Sequence, residues 1–441
     1  MSNRENGFLI IEDMKKIYNP IKSSWPKITE RPSSDLDAME DTVNEIFKEI
    51  KTKGDSAILK YTDLFDGVQL NNFEVTDKEI NSSKMFVSME LTEAIKLAKS
   101  NIEKFHKAQK TANVRIETTK GVTCWQEKRP IQKVGLYIPG GTAPLFSTIL
   151  MLVIPAVLAG CSEIILCSPP NKQGKIHPAI LYTAKLCGVS KIFKVGGIQA
   201  IAGMTFGTET IPKVYKIFGP GNQFVTAAKQ FATKFGVAID MPAGPSELLV
   251  VADETAVPEF VASDLLSQAE HGSDSQVILI STSKKFIDQV EKEISIQLEK
   301  LPRVEIANKA IANSKLIYVD NDIIALELIN EYAPEHLIIC VSDENYFLNG
   351  ISNAGSVFVG NYTPESAGDY ASGTNHTLPT NGYAKQYSGV NLDSFMKSMT
   401  FQKITSQGIR NIGNAIELMA EAEGLYAHKN AVTIRLCSLD K

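Results

Sequence analysis

The sequence has no pair of cysteines at the C-x-x-C spacing that marks zinc ribbons or dithiol redox sites. Its six cysteines, Cys124, Cys161, Cys167, Cys187, Cys340 and Cys437, are scattered over 441 residues. At that density they read as free thiols in a reducing compartment, so the cytoplasm is the expected location. No apolar run is long enough to span a bilayer. The longest, residues 149–161, is interrupted by Pro155 and falls short of the ~20 residues required, so no membrane role is expected. The first residues, MSNRENGFLIIEDMKK, have neither the apolar core of a signal peptide nor the Arg/Ser-rich character of a transit peptide. Positive charge is not in excess either. Lys and Arg number 45 against 50 Asp and Glu, and a general nucleic-acid binder needs a basic surface to meet phosphates. Apolar residues make up 44% of the chain, which excludes extended disorder. The length suits roughly two to four domains.

What is present is a rhythm. An N-terminal arm over residues 1–35 ends in a proline-bearing stretch, Pro26 to Ser34. An amphipathic helix follows over 35–53 and stops at Gly54. A second long helix is expected over 76–110, opening on Thr76-Asp77-Lys78-Glu79, a capping box in which hydroxyl and carboxylate satisfy free backbone amides. Residues 113–132 alternate apolar and polar around Gly121 and predict a hairpin. From Lys133 onward short apolar runs alternate with helical patterns: 133–139, 163–169, 191–197, 214–221, 247–253, 276–282, 315–320, 337–342 and 356–361. Unbroken Val/Ile/Leu runs suit strands buried on both faces, and βαβα alternation implies parallel sheets covered by helices. The strands exceed what one six-stranded unit needs, so two α/β domains are expected, with a boundary near 245. The residues from Leu392 onward read as helices without a sheet partner.

In doubly wound folds ligands sit beyond the C-terminal ends of strands, which directs attention to post-strand loops. Four are glycine-bearing: Tyr137-Ile138-Pro139-Gly140-Gly141, Gly196-Gly197-Ile198-Gln199, Gly219-Pro220-Gly221-Asn222 and Pro242-Ala243-Gly244-Pro245-Ser246-Glu247. Such loops admit a phosphate at a helix N-terminus and equally serve as tight turns. None is a dinucleotide fingerprint, since Phe224 stands where the third glycine would be. Among the six histidines, His106 lies among Lys104, Lys107 and Lys110 and reads as part of a solvated helix face. His177 precedes Pro178 and reads as a cap or surface residue. The other four lie in polar settings. Gln268 and His271 are three apart at a helix end and could share one metal, although glutamine is an unusual zinc ligand. Glu335 and His336 are adjacent, which supplies acid/base capacity near neutral pH. Asp369 and His376 share a long polar loop, and Glu423 and His428 flank Gly424 in the tail. These residues alone lead to an α/β enzyme, with metal and nucleotide dependence left open.

The order and wording of these stretches resemble the histidinol dehydrogenase family. The matching segments are Gly135-Leu136-Tyr137-Ile138-Pro139-Gly140-Gly141, Phe218-Gly219-Pro220-Gly221-Asn222, Ile239-Asp240-Met241-Pro242-Ala243-Gly244-Pro245-Ser246-Glu247, Gln268-Ala269-Glu270-His271-Gly272, Ala333-Pro334-Glu335-His336-Leu337, residues 366–379 and Ala427-His428-Lys429-Asn430-Ala431-Val432. They follow the family order across nearly the whole chain. The resemblance implies oxidation of L-histidinol to L-histidinal and then L-histidine, the last two steps of histidine biosynthesis, with two NAD+ and one Zn2+ per subunit. It implies zinc ligands at Gln268, His271, Asp369 and His428 and an acid/base pair at Glu335 and His336. Substrate contacts fall on Ser246, Gln268, His271, His336, Asp369, Glu423 and His428, with His376 less firmly assigned. NAD contacts fall on Tyr137, Gln199 and Asn222. It also implies a homodimer whose tail reaches the partner's site. The expected architecture is α/β, with two incomplete Rossmann-like parallel-sheet domains, an N-terminal arm (1–35) and a helical C-terminal tail (391–441). Residues 135–247 would form the NAD domain, and 36–134 with 248–390 a discontinuous domain carrying the metal and acid/base residues.

The residue types suit that chemistry. Histidinol offers an amine and an imidazole nitrogen, both good zinc donors, so a metal held by protein side chains would mainly orient the substrate. His336 would then take the alcohol proton and Glu335 would activate water to hydrate the aldehyde. Cys161 and Cys167 flank or occupy an apolar strand and read as packing residues, which disfavours an acyl-thioester route. Two other readings compete. One is a relative of the same fold acting on another small alcohol, such as a sulfonated diol; Glu423 five residues before His428 favours histidinol. The other is a non-catalytic zinc-binding α/β protein, which would be expected to lose the Glu335–His336 pair.

Overall fold

The structure is a computed structural model and describes residues 4–5, 8–9, 14–32, 37–140, 144–189 and 191–440. Gly141 of the first glycine loop, Ser34 of the arm and Asp35, the expected helix start, lie outside the described residues.

The apolar runs form two parallel sheets. One has five strands, in the order Ala238–Ile239, Lys216–Phe218, Lys133–Tyr137, Glu163–Ser168, Lys191–Lys194, all parallel. The other has six, Ser356–Val359, His336–Cys340, Glu247–Ala252, Gln276–Ser281, Lys315–Tyr318 and Lys15–Tyr18, again all parallel. Glu247–Ala252 and Gln276–Ser281 are buried at every position, which is why they read as continuous hydrophobic runs rather than alternating ones. The arm therefore contributes an edge strand: Ile17 pairs with Ile317 of the six-stranded sheet.

The helices of residues 37–108 cover the five-stranded sheet. Val43, Phe47 and Ile58 pack with Ile165, Ile201 and Val225 on one face, and Ile95 and Ile102 with Leu136 and Leu152 on the other. The expected long helix over 76–110 is broken. The capping box at Thr76 and Glu79 is present, but it opens a short helix, Asp77–Ser82, and a 3-10 turn, Ser83–Phe86. A fresh helix, Met89–Ala108, starts where the Ser88 hydroxyl accepts from the Leu91 amide at 3.1 Å. Ser88 sits in an extended conformation (ψ 159°), which a helix interior does not allow. Likewise the helix Asp37–Lys53 is followed at once by Asp55–Asp66, with Gly54 at φ 53° making the corner.

The hairpin forms from Arg115–Thr119 and Val122–Pro130, and it gains a third strand, Met396–Ile404. The expectation of a tail without a sheet partner is thus corrected: nine residues pair antiparallel with Val122–Pro130 before the helices Ser406–Ala422 and Tyr426–Leu439 begin. Trp125 stacks on Phe401 with centroids 5.2 Å apart, and Phe395 stacks on Phe218 at 4.0 Å, joining the tail's root to the five-stranded sheet. Among the described residues no helix is long and apolar enough to cross a membrane.

Candidate active site

Glu335 and His336, the expected acid/base pair, sit at the start of a strand, not beyond the end of one. The helix Asp322–Tyr332 ends at Ala333, whose φ of 53° is left-handed, a conformation costing a non-glycine residue roughly 1–2 kcal/mol. Pro334 prevents the helix from resuming. The chain reverses into His336–Cys340, so Glu335 and His336 project from the N-terminal edge of the six-stranded sheet, both buried. There Glu335 Oε2 accepts the Glu247 amide at 2.9 Å, and His336 Nδ1 lies 3.2 Å from the Glu247 carbonyl oxygen. A carbonyl only accepts, so Nδ1 carries the hydrogen and the lone pair of a neutral ring falls on Nε2. That Nε2 is buried without a hydrogen-bond partner and faces Asp369 Oδ1 at 3.6 Å.

Glu247, unremarked in the sequence except as part of a motif, organises this edge. The Arg31 guanidinium donates to both of its carboxylate oxygens, with Nη2 at 2.9 Å from Oε2. Arg31 also donates to the Tyr332 carbonyl at 2.6 Å and lies over the Tyr332 ring at 4.0 Å. The Asn381 amide adds a 2.6 Å bond to Glu247 Oε1. Ser246, immediately before, is half-buried and accepts the Gln276 amide at its carbonyl.

Beside this pair lies a donor cluster. Gln268 is fully buried near the end of the helix Pro258–Ala269, and His271 follows two residues after it. Glu365 and Asp369 are four apart on the helix Glu365–Tyr370 and so share a face. His271, Glu365 and Asp369 each offer one ligand atom, all within 4.8 Å of one another. The Gln268 amide faces the Glu365 carboxylate; with its nitrogen assigned to that side, the orientation that satisfies both groups, it donates to both acid oxygens, at 3.2 Å to Oε2. Imidazole, carboxylate and amide donors converging on one point suit a divalent cation. Of the expected ligands, His271 and Asp369 therefore come together, and Gln268 reaches them through Glu365, which the sequence reading missed. Its i, i+4 spacing to Asp369 was the available signal. His428 and Glu423 do not join them within one chain: both are exposed, around the turn between the last two helices.

The electrostatics follow from burying this much acid together. Burial pushes the Glu335 carboxyl up to about 7. For His336 burial works downward, but the carboxylates of Glu365, Glu335 and Asp369 outweigh it and hold the ring at about 10. A cation among those carboxylates weakens that pull and favours the neutral ring a base requires. Burial lowers His271 and His376.

His376 spans the two sheets' territories. Its Nδ1 lies 2.9 Å from the Asp369 carbonyl oxygen, and its Nε2 lies 3.1 Å from Thr148 Oγ1, in the first turn of the helix Phe146–Ala159. Its neighbour Asn375 donates to the Met151 carbonyl at 2.6 Å and lies 3.3 Å from His106 Nε2. The solvated reading of His106 is corrected: the residue is fully buried, with Nδ1 2.9 Å from the Ile102 carbonyl oxygen. It continues the stripe Ile95, Ala98, Ile102, whose helical spacing outweighs the neighbouring lysines. His177 caps the helix Pro178–Cys187, as read, with Nδ1 accepting the Ala179 amide.

The residues expected to contact NAD follow strands of the five-stranded sheet at their C-terminal ends. Lys133–Tyr137 and Lys216–Phe218 are neighbours where the strand order reverses, the usual nucleotide crevice. Gly219 sits there at φ 128°, and a Cβ on it would fall 2.1 Å from the Tyr137 carbonyl oxygen, so only glycine lets the two backbones approach. The Gly219 amide donates to Asp240 at 2.8 Å, and its carbonyl accepts Lys229 at 2.8 Å. Lys229 and Asp240 are themselves a buried ion pair at 2.5 Å. The Tyr137 hydroxyl accepts the Gly197 amide at 3.2 Å, and Asn222 caps the helix Gln223–Ala232. Gln199 is fully buried, its Nε2 3.4 Å from Asp66 and its Oε1 without a partner. A close-approach loop, a capped helix N-terminus and an orphaned amide oxygen fit a dinucleotide. Burial pushes the Cys161 thiol up to about 11 and Cys167 higher still, so both stay protonated near neutrality.

Comparison with known proteins is consistent across sequence and structure. The family model for histidinol dehydrogenase matches residues 29–436. A histidinol dehydrogenase from Bacteroides thetaiotaomicron is 60% identical over 428 residues, covering 97% of this chain and 100% of that one. The histidine biosynthesis trifunctional protein of Saccharomyces cerevisiae is 52% identical over 420 residues, which is 94% of this chain and 53% of that one. The crystal structure of histidinol dehydrogenase from Elizabethkingia anophelis superposes with a TM-score of 0.95 at 57% identity, covering 97% of this chain and 99% of that one.

Proposed function

The chain belongs to the histidinol dehydrogenase family, and from that premise we propose that it oxidises L-histidinol to L-histidine through L-histidinal, with two NAD+ consumed, in histidine biosynthesis. The observation that carries the reading is the His336 ring, its Nδ1 against a carbonyl and its buried Nε2 free, beside a donor cluster fit for a cation.

We infer that Gln268, His271 and Asp369 hold Zn2+ together with His428 from a second copy of the chain, whose Glu423 also contacts substrate. The exposure of both tail residues supports supply in trans. When bound, zinc supplies Lewis acidity that orients the substrate through its amine and imidazole nitrogens, and NAD+ bound against Tyr137, Gln199 and Asn222 accepts hydride. His336 takes the hydroxyl proton at Nε2 as the carbinol carbon loses hydride. Glu335, whose carboxyl is lifted toward neutrality by burial, then takes a proton from water, and the hydroxide adds to the aldehyde carbon. His336, its first proton released to solvent, removes a proton from the resulting hydrate as the second hydride leaves for a second NAD+. Ser246 sits where it can hold the substrate against the Glu247 edge, and His376 steadies Asp369 through that residue's carbonyl. No thiol enters the sequence, in keeping with the protonated Cys161 and Cys167.

The same reading divides the molecule into an NAD unit built on the five-stranded sheet, a unit carrying the acid/base pair and metal on the six-stranded sheet, and a tail for the partner in a cytoplasmic homodimer. The test is the NADH formed per L-histidinol consumed by zinc-supplied protein. A ratio of two is expected; no NADH from a folded, zinc-loaded protein would move the substrate to a different small alcohol.

A further inference from the structure

Glu365 is a carboxylate that the mechanism leaves unused. It is 1% exposed and lies in the first turn of the helix Glu365–Tyr370. Among the described residues no lysine or arginine is paired with it. Its neighbours are the Gln268 amide, the Ser267 hydroxyl at 3.5 Å and His336 Nδ1 at 3.8 Å, and one of its oxygens belongs to the cluster with His271 and Asp369. A carboxylate buried this deeply, with an imidazole at 3.8 Å as its cationic neighbour, is costly, so its place beside the cluster calls for a task.

The geometry with Gln268 defines one. A primary amide has two chemically different ends on nearly the same shape, and only its oxygen is a ligand for a hard divalent ion. Ionised beside a bound cation, as the metal reading requires, Glu365 accepts hydrogen bonds and donates none. Facing Glu365, the amide must turn its NH2 toward the acid, and both acid oxygens receive it. Oε1 is then turned the other way. Gln268 is fully buried, so no solvent competes for either end.

We propose that Glu365 is a positioning residue whose carboxylate locks the Gln268 amide with its oxygen turned to the cation. The proposal rests on the metal reading above, and it makes glutamine a competent ligand where the residue alone would present either end. Partners of this kind are worth ~10–100-fold in metal affinity.

The test is a double-mutant cycle read as zinc affinity, by chelator competition on metal-free protein. The variants are Glu365→Gln, Gln268→Glu and the two together. Glu365→Gln places an amide against an amide and no longer dictates an orientation, so zinc affinity is expected to fall ~10–100-fold. A glutamate at 268 has two equivalent oxygens and needs no orientation. In that background the Glu365 change is expected to cost less than threefold, or to tighten binding by removing like charge. The same fold loss in both backgrounds would make Glu365 a ligand in its own right and overturn the proposal, as would no loss in the wild-type background. Wild-type protein that takes up no zinc would overturn the metal reading, and this proposal with it. Thermal midpoints of the metal-free variants establish folding. Glu365→Asp, which keeps the charge but withdraws it by one methylene, is read in the same two backgrounds should the glutamine variant not fold.

Discussion

His336 Nδ1 lies 3.2 Å from the carbonyl oxygen of Glu247, and that backbone contact leaves Nε2 as the nitrogen with a free lone pair, the base of the proposed mechanism. Asparagine at 336 keeps an amide nitrogen near the position of Nδ1 and removes Nε2. His336→Asn is therefore expected to fold normally and to lose ~10²–10⁴-fold in kcat for both half-reactions. Thermal midpoint and single-turnover rates for histidinol and histidinal check this. An unimpaired rate with either substrate would remove His336 from the proton path.

Glu335→Gln separates the halves. Its carboxyl serves only the hydration of the aldehyde in the mechanism above, so histidinal oxidation is expected to slow by ~10²–10⁴-fold while histidinol oxidation to the aldehyde slows far less. Equal slowing of both would argue against a role in activating water.

The cluster of Gln268, His271, Glu365 and Asp369 predicts that metal and turnover are lost together. His271→Asn and His428→Asn are each expected to lower zinc content and kcat in parallel, measured by elemental analysis of dialysed protein. Full zinc occupancy in either variant would contradict that ligand.

Arg31 and Glu247 form a buried pair, with side chains 11% and 1% exposed. Removing one partner strands the other, so Arg31→Met is expected to cost ~3–5 kcal/mol in urea unfolding. Arg31→Met with Glu247→Leu should cost less, because no charge is left buried. A cost below ~1 kcal/mol for the single variant would show the pair to be dispensable.

Burial lifts the Asp264 carboxyl from 3.8 to about 7. The folded protein thus holds a proton that the unfolded chain has released, and the stability this contributes is present below about pH 4 and lost as pH rises through about 7. Urea midpoints of metal-free Asp264→Asn are expected to fall less than those of wild type across that window. Parallel pH profiles for the two proteins would refute the assignment.

The buried strands were legible because a strand covered on both faces has an unbroken apolar interior, as residues 248–252 and 277–280 show. The strand Met396–Ile404 was not, since its sequence, MKSMTFQKI, is exposed along most of its length and carries no such run. The acid/base pair was recognised as a dipeptide, but its place at the start of a strand depends on the left-handed turn at Ala333, where nothing in an alanine announces it. His106 misled because Lys104, Lys107 and Lys110 lie close to it in sequence, although the spacing from Ile95, Ala98 and Ile102 pointed inward. Arg31 lies 216 residues from Glu247 and 301 from Tyr332, and local pattern carries no information over that separation.

That separation also sets an order of events during synthesis. Arg31 leaves the ribosome long before Glu247 and Tyr332 exist, and at ~5–20 residues per second it waits roughly 15–60 s for the latter. The strand Lys15–Tyr18 waits similarly for Lys315–Tyr318. These early segments thus find their places late, and the nascent chain carries an unsatisfied guanidinium and an unpaired edge while about 300 further residues are added. The five-stranded sheet, whose strands lie within residues 133–239, is complete well before then. The five-stranded sheet is therefore assembled before the Glu335–His336 edge, which closes only once Tyr332 has been made.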